Sequence, residues 1–96
     1  QVLWGRMAER DNPSALWSLG IAAVERVDLP AVREHWARAA ELDDALAAEL
    51  AGLLGCDPAD AAALIRAVDD APLADRLAEL CDATGRAATA TAWRLR

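Results

Sequence analysis

The chain alternates short apolar stripes with polar faces at helical spacing. Val32, Trp36 and Ala39 form one stripe, and Leu46, Leu50 and Leu53 a second. Ala61, Leu64, Ile65 and Val68 form a third, and Leu73, Leu77, Leu80 and Cys81 a fourth. All follow the i, i+3, i+4, i+7 rule of an amphipathic helix. Residues 13–27 differ, because Leu16, Gly20, Ala23 and Val27 make one apolar side and Trp17, Ile21 and Val24 a second. A helix apolar on two sides is expected to be sandwiched between neighbours. No stretch alternates β-branched and polar residues as a strand would.

Punctuation supports the same division. Pro13, Pro30, Pro58 and Pro72 each follow Asn or Asp within two residues. Proline suits the first turn of a helix, where its missing N–H is no loss, and the preceding carboxylate or amide can cap the free N–H groups. Gly55 and Gly85 stand where two helices should stop. The pattern predicts helices over 2–10, 13–27, 29–42, 44–54, 58–69, 72–83 and 86–95. Loops this short make successive helices antiparallel. The expected class is therefore all-α: antiparallel hairpins of six to seven short helices, stacked as a repeat or gathered in a compact bundle.

At 96 residues the chain makes a single domain. It begins and ends inside helical patterns, so it reads as part of a larger protein. Four tryptophans carry all the aromatic packing, since Phe and Tyr are absent. All ten basic residues are arginine, which reads as compositional bias and not as a binding site. The net charge of -6 and the scattered arginines argue against a nucleic-acid partner. Between Arg38 and Arg66 every charge is negative: Glu41, Asp43, Asp44, Glu49, Asp57 and Asp60. No apolar run approaches the roughly 18 residues that a membrane span needs. With no signal peptide in view and no cysteine pair at ligand spacing, Cys56 and Cys81 read as reduced thiols of a cytoplasmic protein.

Catalytic chemistry finds no constellation. His35 is the only histidine and has no second ligand beside it. Asp43-Asp44 and Asp69-Asp70 read as helix caps, because neighbours on a helix point about 100° apart. Phosphate-binding and nucleophile motifs are missing from the sequence. Neither a catalytic residue nor a cofactor or metal is therefore expected.

One stretch carries a resemblance. Leu16-x2-Leu19-Gly20-x2-Ala23, then Val32-x3-Trp36, then Ala39 and Asp44, is similar in order and spacing to the tetratricopeptide repeat. In that reading Gly20 lets two helices approach closely and Trp36 fills the space between them. Val27 stands where the family usually has glycine in the turn. A second, degenerate copy runs from Leu77 to Trp93. The resemblance implies a scaffold that holds a partner helix or peptide on its concave face. The first hairpin would present Ser14, Trp17, Ile21, Val24 and Glu25, and the later one Asp75, Glu79 and Asp82. Such a groove would suit a partner protein or peptide with an apolar anchor and basic residues. The alternative is a structural or oligomerisation subunit, whose apolar face seals against its own copy or a neighbouring domain of a larger enzyme or assembly.

Overall fold

A computed structural model describes residues 12–95. Among these residues there are six α-helices and no strand: α1 (Pro13–Glu25), α2 (Leu29–Leu42), α3 (Asp44–Leu54), α4 (Ala61–Ala67), α5 (Asp70–Ala83) and α6 (Ala87–Leu95). A 3-10 turn, Pro58–Asp60, leads into α4. The all-α class holds. The helix expected over 2–10, with Trp4, lies outside the described residues.

The caps explain most boundaries. The Asn12 side chain accepts from the N–H groups of Ser14 and Ala15 at the start of α1. Asp28 accepts from the Ala31 N–H at the start of α2, and Asp43 from those of Ala45 and Leu46 at the start of α3. Asp57 and Asp69, expected to cap in the same way, make no side-chain cap bond. Pro58 accordingly opens a 3-10 turn in place of an α-helix, and α5 begins at Asp70, two residues before the expected Pro72.

Helix ends are equally local. Gly55 and Gly85 adopt φ of 72° and 77°, the left-handed region that glycine reaches without a Cβ clash. At the end of α5 the Gly85 N–H reaches the Asp82 carbonyl and the Arg86 N–H reaches the Cys81 carbonyl, which is a Schellman stop. The end of α1 has the same two bonds, Val27 N–H to Val24 and Asp28 N–H to Ala23. Its left-handed residue is Val27, with φ of 55°. A β-branched side chain is uncommon there.

α2 lies at the centre of the packing. It touches α1, α3 and α4, while α5 and α6 pack on each other and α5 meets α3. Val32, Trp36, Ala37 and Ala39 are fully buried. The α1–α2 pair is antiparallel, since Gly20 and Trp36 meet and stand equally far from Asp28. A Cβ built on Gly20 would lie 2.1 Å from the Trp36 indole, so the ring rests on the α1 backbone.

The core faces are rotated from the expected stripes in places. α3 buries Ala47, Leu50, Ala51 and Leu54, leaving Leu46 and Leu53 half-exposed. Its alanines form the seam because a small side chain lets neighbouring helices come close. Leu64, Val68 and Leu80 are likewise half-buried at the margins. Arg33 ties the centre together: it donates to the Ile65 carbonyl at 2.7 Å and pairs with Asp70 at 2.7 Å. One guanidinium thus joins α2 to the last turn of α4 and the first of α5.

Candidate interaction surface

Trp17 is half-buried and stacks on Trp36, with ring centroids 4.6 Å apart and planes at 15°. The Trp36 indole N–H donates to the Trp17 carbonyl at 3.1 Å. The buried ring therefore holds both the side chain and the backbone of Trp17. Ser14 and Glu25 are exposed on the same helix, and Ile21 is half-buried against the core. Positions 14, 17, 21 and 25 fall on one helical side.

Val24 must be removed from the expected partner-binding set. It is 1% exposed and belongs to the core. At this end of α1 the buried Trp93 donates its indole N–H to the Val24 carbonyl at 2.9 Å. That side of α1 faces the protein interior at its end.

The acidic residues lie on surfaces that carry their own cations. Glu25 pairs with Arg86 at 3.1 Å. Asp82 hydrogen-bonds Arg94, and Asp75 and Glu79 also act on that guanidinium. The Asp82 bond is the largest cause that raises the Arg94 pKa. The Cys81 thiol feels the Arg86 charge, which lowers its pKa, and those of Asp82 and Glu25, which raise it. Burial, more than those charges, pushes the Cys81 thiol pKa up. The acidic residues expected to face a basic partner are thus partly neutralised within the chain. Sequence reasoning missed this because Arg86 and Arg94 belong to a later turn and helix and carry no motif.

Other polar groups fit structural roles. The Arg66 guanidinium beside Glu41 holds that carboxyl below the usual carboxylate range, through a paired hydrogen bond of 2.8 and 3.1 Å. Cys56 is half-buried, and burial followed by Asp60 and Asp57 raises its pKa. Both cysteines are free. Among the described residues, no group of three or more His, Cys, Asp or Glu side chains could hold a metal ion. Nor, among those residues, is any helix long and apolar enough to cross a membrane.

Two further surfaces have apolar content. A shallow groove of about 380 Å³ is lined by Ala48, Glu49, Gly52, Leu53 and Leu80, where α3 meets α5. Leu19 on α1 is 48% exposed and Leu42 at the end of α2 is 42% exposed. Comparison of the chain with protein-family models, curated proteins and solved structures finds no match.

Proposed function

We propose that the chain is an interaction module that holds a partner helix or extended peptide along the outer side of α1. The observation that carries this reading is the Trp17 indole, half-exposed and backed by the buried Trp36 ring. An aromatic side chain already fixed by stacking loses little conformational freedom when a partner covers it. Such residues supply much of the energy of protein interfaces. Ile21 extends the apolar anchor, and Ser14 and Glu25 give a polar rim. The net charge of -6 favours a partner with basic residues flanking an apolar side chain.

Titration with a panel of basic, apolar-anchored peptides tests it, read by peptide anisotropy and tryptophan fluorescence. Binding that Ser14→Arg weakens, with the melting temperature unchanged, is the expected result. Flat titrations across the panel would sink the reading.

A second reading rests on Leu19 and Leu42, both large, apolar and more than two-fifths exposed. It makes the chain a structural subunit that seals these positions against another copy or a neighbouring domain. Leu19 is two residues from Trp17, so it faces away from the proposed groove. Light scattering on a sizing column at several concentrations separates the two readings. A dimer that Leu19→Glu dissociates would place the second reading first.

A further inference from the structure

We draw no further inference here: the strongest candidate, the shallow apolar groove between α3 and α5 lined by Ala48, Gly52, Leu53 and Leu80, carries nothing because nothing in the structure shows what covers it.

Discussion

Gly20→Ala is the sharpest test of the hairpin. In an open helical position this change stabilises by about 1 kcal/mol, because alanine is the better helix former. At Gly20 the new Cβ would stand 2.1 Å from Cδ1 and Nε1 of Trp36 and 2.9 Å from Cε2. Ordinary contact begins near 3.4 Å, so the ring or the helix must yield by more than an ångström. The ring cannot swing aside freely: it is fully buried, stacked on Trp17 and hydrogen-bonded to the Trp17 carbonyl. Overpacking of this kind costs about 1–3 kcal/mol, and a rigid ring against backbone belongs at the upper end or beyond. Set against the propensity gain, the net expectation is a loss of about 2 kcal/mol. Gly52 supplies the internal control. It sits inside α3 with nothing within 4 Å of a built Cβ. Gly52→Ala should therefore raise stability by about 1 kcal/mol. Urea melts followed by circular dichroism and tryptophan fluorescence would measure both. A Gly20→Ala protein as stable as the parent would mean that the indole does not rest on α1, and the packing argument would fail.

The remaining expectations concern the core, the left-handed turns and one ion pair. Trp36→Ala should cost about 3–5 kcal/mol in the same melts, a large fraction of what a domain this size holds; a loss under about 1 kcal/mol would contradict its burial. Val27→Gly should change stability by less than about 1 kcal/mol, because relief of roughly 1–2 kcal/mol of left-handed strain offsets the lost packing. Gly85→Val should cost about 1–2 kcal/mol, since the strain there is not offset by any contact in the open space around the glycine. Equal effects at the two sites would refute the assignment. Glu41→Gln should cost under about 1 kcal/mol at pH 7, as befits an exposed pair. Because Glu41 has a lowered pKa when folded, its contribution is present above the unfolded carboxylate pKa and is lost as pH falls through the folded one. Melts of the two proteins should therefore converge in acid; a gap that widens there would reverse the sign.

The α1–α2 hairpin was legible because its signals are local. Asn12 and Asp28 cap their own helices, Pro30 follows a cap, and Gly20 and Trp36 have few other uses at that spacing. The antiparallel hairpin expected from that spacing is present, with Gly20 against the Trp36 ring. The 3-10 turn at Pro58 was not legible, because an Asp before proline reads as a cap whether or not its carboxylate turns inward. Asp75, Glu79 and Asp82 read from the sequence as a row open to a basic partner, and Glu25 as part of the α1 face. Their cations, Arg94 and Arg86, are brought near only by the tertiary fold. Val24 was placed on an open face for the same reason: periodicity marks it as apolar but does not say what lies against it. Trp93 lies against it, from 69 residues away.

That distant bond affects how the chain reaches its final form. The Val24 carbonyl accepts two N–H groups, one from Val27 in its own turn and one from the Trp93 indole. During synthesis α1 leaves the ribosome long before α6, and at about 5–20 residues per second the delay is several seconds. Until α6 arrives, α1 can fold against α2 but the Val24 carbonyl lacks its bond from the Trp93 indole. The contact also closes a loop spanning most of the domain, and such long-range closures slow folding compared with purely local helical pairs. A linear stack of repeats can fray from either end one unit at a time. Here departure of α6 would strip the Trp93 indole from the Val24 carbonyl, so the last turn of α1 and the placement of α6 are thermodynamically linked.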